Sequence, residues 1–139
     1  SRQLPLRNLS RLILNTRKDG EALSMIGIRK PSVHYYSRQI VFYEPNTQTG
    51  LINLSERLNL DRRENYQDAP NYENKNLLVV IDHYSTRQEY WSSINHKKLG
   101  KFGIYNLWRI KKSDLNDYAN YLVEKGFRSN WRERVVEKF

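Results

Sequence analysis

The residues best suited to chemistry lie between Tyr84 and Lys112. This stretch carries Tyr84, Arg87, Tyr90 and Trp91, then His96, Lys97, Lys98 and Lys101. Phe102, Tyr105, Trp108, Arg109, Lys111 and Lys112 follow, and no acidic side chain lies between Asn95 and Ser113. Cations interleaved with flat rings suit the capture of a phosphate backbone and the stacking of bases. Read as one strand of period two, Lys101 to Lys111 shows Lys101, Tyr105, Arg109 and Lys111 on one face. Phe102, Ile104, Trp108 and Ile110 fall on the other face and are expected to be core. Lys97 and Lys98 extend the basic face, and Arg7, Arg11 and Lys18 form a second basic edge near the N-terminus. The expected function is therefore non-catalytic binding of nucleic acid, RNA or DNA.

A second chemistry is available in the same region. His83 or His96, with Glu89 and Arg87, supplies the base, acid and phosphate-holding cation of a small nuclease. Asp82-His83 closes an apolar run, and strand ends project polar groups toward clefts. Asp82 and Glu89 lack the clustering that holds magnesium, so no metal site is expected. No phosphate-cradling glycine loop, HExxH, GxSxG or zinc knuckle occurs, so no cofactor is expected either. A third reading is a basic structural subunit of a large ribonucleoprotein or organellar assembly.

The bulk composition agrees with a polyanionic partner. The chain has 139 residues and a formal net charge of +9, and it contains no cysteine. Disulfides and thiolate sites are thereby excluded, which suits an intracellular setting of organellar, viral or bacterial origin. Nucleic acid, an acidic membrane surface or an acidic protein would each be attracted. The longest apolar run, Leu77 to Ile81, is far short of the roughly 20 residues that span a bilayer.

Periodicity and punctuation outline the elements that must position these groups. Residues 1–20 read as a basic helix or arm, with Pro5 at its start and Asp19-Gly20 at its end. Five basic residues and no acidic one occupy Ser1 to Lys18. That pattern also describes a transit segment, and a retained helix is preferred. Residues 21–139 are expected to form a single α+β domain with a mobile loop near 61–76. Val33 to Tyr43 reads as a strand, paired through the Glu44 to Gly50 turn with Leu51 to Leu54. Further strands are expected at Leu77 to Tyr84, Gln88 to Ile94 and Lys101 to Lys111, with a lysine-rich loop at Asn95 to Gly100. Two C-terminal helices complete the outline, Asp114 to Lys125 and Ser129 to the end. The fold class is thus α+β, a mainly antiparallel sheet with a basic N-terminal helix and two C-terminal helices.

Overall fold

The apolar run from Leu77 becomes the centre of the molecule. A computed structural model describes residues 4–28, 41–59 and 73–134, with side chains from residue 8 onward. The elements are helix α1 (Leu4–Thr16), strands β1 (Ala22–Ile26) and β2 (Val41–Glu44), helix α2 (Gln48–Leu58) and strand β3 (Asn76–Asp82). Then come helix α3 (Glu89–Ser92), strands β4 (His96–Phe102) and β5 (Tyr105–Lys111), and helix α4 (Lys112–Glu124). Short 3-10 turns lie at Ser85–Arg87 and Trp131–Glu133.

The five strands form one sheet in the order β2-β1-β3-β5-β4. β1 pairs in parallel with β2 and β3, whereas β5 pairs antiparallel with β3 and β4. More of the paired positions are antiparallel than parallel, and the α+β class holds. Both faces of β3 are covered, which explains its unbroken apolar sequence. Leu77, Val79 and Ile81 join Trp91, Trp108, Ile110, Leu115 and Leu122 beneath α2, α3 and α4. Leu78 and Val80 join Leu9, Ile13, Leu23, Met25 and Leu107 on the face packed by α1. The basic N-terminal helix therefore contributes core residues.

Several local expectations are corrected. Leu51 to Leu54 is not a strand but the body of α2. Thr47 caps it, its hydroxyl oxygen accepting from the Gly50 N–H at 3.1 Å, and Leu51, Ile52, Leu54 and Leu58 are buried. Gln88 to Ile94 is not a strand either. The Tyr90 hydroxyl and the Trp91 indole N–H both donate to the Asn46 carbonyl, at 2.7 and 3.1 Å. Neighbouring residues of a strand point to opposite faces and could not do this. Of the expected Asn95 to Gly100 loop, His96 to Gly100 form the first part of β4, and Ala22–Ile26 is a strand with no counterpart in the expected outline.

The expected Lys101 to Lys111 strand breaks at Gly103, where φ is +60°, and reverses there into β5. Ile104 consequently sits in the turn, 51% exposed, and not in the core. The loop expected near 61–76 lies mostly outside the described residues, as do Val33 to Ile40 of the expected strand and residues 135–139 of the expected final helix. Of that helix, the described part is a 3-10 turn. The expected Asp114 to Lys125 helix is α4, and the second C-terminal helix is α3, which precedes β4.

Candidate functional site

The face expected to contact nucleic acid is occupied by the protein itself. Arg109 lies on the α1 side of β5, and its Nε and Nη2 donate to the Glu21 carboxylate at 2.7 and 3.0 Å. Nη2 also donates to the Thr16 carbonyl at 2.9 Å. Tyr105 and Phe102 pack, half-buried, against the core beneath α1. A rail of alternating rings and cations does not exist on that face, because α1 covers it. Lys97, Lys98 and Lys101 are exposed on β4, the edge strand, and Lys111 is exposed at the end of β5. Arg11 and Lys18 are exposed on and just after α1. Arg7 belongs to α1, but its side chain lies outside the described part.

The alternative nuclease group does not converge. His96 sits opposite Ile110, which pairs with Leu77 at the start of β3, whereas His83 follows the end of β3. At about 3.3 Å per residue, the two histidines are roughly 20 Å apart. The His96 ring stacks on Trp108 with centroids 3.7 Å apart, and its Nδ1 hydrogen-bonds the Ile94 carbonyl at 2.8 Å. Arg87 and Glu89 are exposed. Among the described residues, no group of three or more histidines and carboxylates is placed to hold a metal ion.

Two polar arrangements at the rim of the sheet and beside α4 bear on a ligand site. The first rims the sheet where β1, β2 and β3 end, the customary ligand position at a switch in strand order. Here the Ser85 hydroxyl donates to Asp82, and the Asn46 amide donates to the Ser85 hydroxyl at 2.8 Å. The Ser85 N–H also donates to Asp82, at 3.3 Å. Gly27, at φ +73°, lies so close that a Cβ there would come within 3.3 Å of the Asp82 carboxylate and 3.4 Å of the Ser85 hydroxyl. These groups bond to one another and fix the strand ends. The cluster is a structural lock.

The second arrangement is an open groove of about 210 Å³ between α4 and the segment leading into β4. Its lining is Ser93, Ile94, Asn95, Asp114, Asp117, Tyr118 and Tyr121. The helical spacing of Asp114, Asp117, Tyr118 and Tyr121 sets them along one side of α4. Tyr118 is anchored against the core, and Tyr121 tilts against it with ring centroids 5.4 Å apart. Tyr121 remains 46% exposed, with the Lys125 ammonium 5.4 Å from its ring centre. Carboxylates accept hydrogen bonds from hydroxyls, and a ring face packs against C–H groups. That pairing matches a polyhydroxylated ligand with one apolar face, and a phosphate backbone would be repelled by the two carboxylates.

A family model described as the C-terminal domain of cyanobacterial RgtA-type glycosyltransferases matches residues 16–126. The chain belongs to this family. The match takes in all five strands, α2, α3, α4 and the whole groove. No curated protein and no solved structure matches the chain significantly.

Family membership overturns the functional reading of the sequence. A match to a glycosyltransferase C-terminal domain contradicts the expected nucleic-acid-binding, ribonucleoprotein and nuclease roles and points to a transferase family instead. The basic and aromatic stretch misleads because Arg109 is paired with Glu21 and because Tyr105 and Phe102 pack against the core beneath α1. Asp117 and Tyr121 do not stand out as site residues in the sequence, where the α4 pattern shows only core and surface. The groove exists once Ser93 to Asn95 is folded beside that surface.

Proposed function

We propose that the protein is a glycosyltransferase in which this domain holds a saccharide, and that the α4 groove is where it does so. The family match carries the reading, and the groove supplies compatible chemistry. In glycosyl transfer an acceptor hydroxyl oxygen bonds to the anomeric carbon, the bond from that carbon to the leaving group breaks, and a base takes the hydroxyl proton. Groups that orient hydroxyls serve such a reaction by fixing the attacking geometry. Asp114 and Asp117 accept from sugar hydroxyls, Asn95 and Ser93 add donors, and Tyr121 packs under the C–H face of the ring.

The test is a titration of the isotope-labelled chain with free monosaccharides, short glycans and nucleotide-sugars, followed by amide shifts. Resonances of Ser93 to Asn95 and of the first half of α4 are expected to move. Tyr121→Ala and Asp117→Asn should each weaken the response severalfold while the remaining spectrum stays unchanged. Saccharides that leave these resonances still, or that move them equally in both variants, would remove the groove from the reading.

A further inference from the structure

Strand β4 ends the sheet, and among the described residues no strand pairs with its outer side. Its lysines divide between the two faces. Lys97 lies opposite Arg109, on the α1 side, whereas Lys98 lies opposite Trp108 and Lys101 opposite Asn106, on the other side. The register shift at Leu99 sets this pattern. Without the extra residue, Lys98 and Lys101 would point to opposite faces. All three lysines are exposed. Gly100 faces Leu12, and a Cβ there would come within 2.5 Å of that side chain, so α1 lies directly against the strand. Neither α1 nor β4 nor β5 contains an acidic residue. The edge is thus backed by a helix and basic on both faces.

We infer that this edge takes an acidic segment of another polypeptide as a further strand of the sheet. An edge strand presents a row of unpaired N–H and C=O groups, and an extended segment pairs with them through its own backbone. Successive side chains of the added strand point to opposite faces. Carboxylates on both of its faces meet Lys97 on one side and Lys98 and Lys101 on the other. Opposite charges set across a strand pair stabilise it, and like charges do the reverse. A second copy of β4 is therefore a poor occupant, because its lysines would lie against these. The same side chains that discourage self-pairing select an acidic partner. This inference is independent of the sugar reading, because it uses neither the α4 groove nor any saccharide.

The experiment is a titration of the isotope-labelled full chain with a short peptide repeating Glu-Glu-Thr-Thr, which carries glutamate on both faces when extended. A control peptide repeating Glu-Glu-Pro-Pro has the same charge, but its prolines cannot donate to a strand ladder. Amide shifts and hydrogen exchange are the readouts. At saturation the threonine peptide is expected to shift His96 to Phe102 and slow exchange of the outward-facing β4 amides by about tenfold. The proline peptide should bind more weakly and leave that exchange unchanged. Lys98→Gln with Lys101→Gln, and separately Lys97→Gln, should each weaken the threonine peptide severalfold, because the two sets serve different faces. Since these side chains are exposed, thermal unfolding of each variant should match the parent. Equal affinity for the two peptides, or β4 exchange that stays fast at saturation, would overturn the proposal in favour of unstructured attraction to a basic surface. Unchanged affinity in either lysine variant would overturn it as well.

Discussion

Glu21 and Arg109, 88 positions apart in sequence, form an ion pair in which the carboxylate is fully buried. Two guanidinium nitrogens reach the two carboxylate oxygens at 2.7 and 3.0 Å, and the Lys18 N–H adds a third bond at 2.7 Å. The pair ties the turn before β1 to β5, while the bond from Arg109 to the Thr16 carbonyl secures the end of α1. Truncating one partner leaves the other charged and buried. Arg109→Ala should therefore cost about 3–5 kcal/mol, read from the urea midpoint. Were Arg109 instead an exposed ligand for nucleic acid, its removal would leave that midpoint almost unmoved.

The same pair makes a prediction about acid. Burial pushes the Glu21 carboxyl upward, but hydrogen bonds from Arg109 and the Lys18 backbone, with the attraction of Arg109, outweigh it and hold the pKa below its ordinary 4.5. Glu56 is held low in the same sense: burial opposes, while Trp131, Ser129 and Arg132 prevail. A depressed folded pKa stabilises above the unfolded value, and that contribution fades as pH falls through the folded one. The melting temperature should accordingly be insensitive to these groups near neutrality and decline below about pH 4.5. Glu21→Gln should melt lower at neutral pH yet show a shallower acid decline, measured by calorimetry across the range.

The legible parts of the fold are those in which one element explains its own sequence. Leu77 to Ile81 reads as a buried strand without reference to neighbours, and Leu115, Ala119 and Leu122 mark α4 by spacing alone. β4 is illegible because an edge strand can be polar on both faces, and His96-Lys97-Lys98 carries no apolar alternation. α2 is easily misread because its leucines and Ile52 also suit a strand over four residues, and only the Thr47 cap distinguishes the two. The site is hidden for a related reason. Asp117 and Tyr121 look like ordinary solvent positions until the chain around Asn95 is brought beside them.

Two glycines with different geometries should respond differently to alanine. At Gly50 a Cβ would collide with the Pro45 carbonyl oxygen, part of the rigid turn between β2 and α2. Gly126 follows α4 at φ +107°, and a Cβ there would meet nothing within 4 Å. Gly50→Ala should cost about 3 kcal/mol through displaced backbone. Gly126→Ala should cost about 1 kcal/mol, from the left-handed conformation alone. Equal losses in a denaturant titration would mean that the Pro45 turn yields freely, contrary to this account.

Asn53 should govern the segment that follows the matched family region. Its buried side chain donates to the Glu44 carboxylate at 3.0 Å and to the Asn130 side-chain oxygen at 2.9 Å. Its own oxygen accepts from the N–H groups of Asn130 and Trp131, at 2.9 and 3.2 Å. Glu44 in turn accepts from Arg57 on α2 and a two-pronged contact from Arg134, and Glu56 accepts from the Trp131 indole at 2.9 Å. Leucine at position 53 matches the size but supplies no partner to any of these groups. Each backbone N–H left unpaired costs about 1–3 kcal/mol unless the segment moves into water. Release is the cheaper outcome, because residues 127–134 bury little apolar surface. Asn53→Leu should therefore speed proteolysis after Phe127 and shift Trp131 fluorescence toward the solvent-exposed value. The strands and α4 should keep their amide protection. Global loss of protection in this variant would instead place Asn53 among the residues that hold the whole domain together.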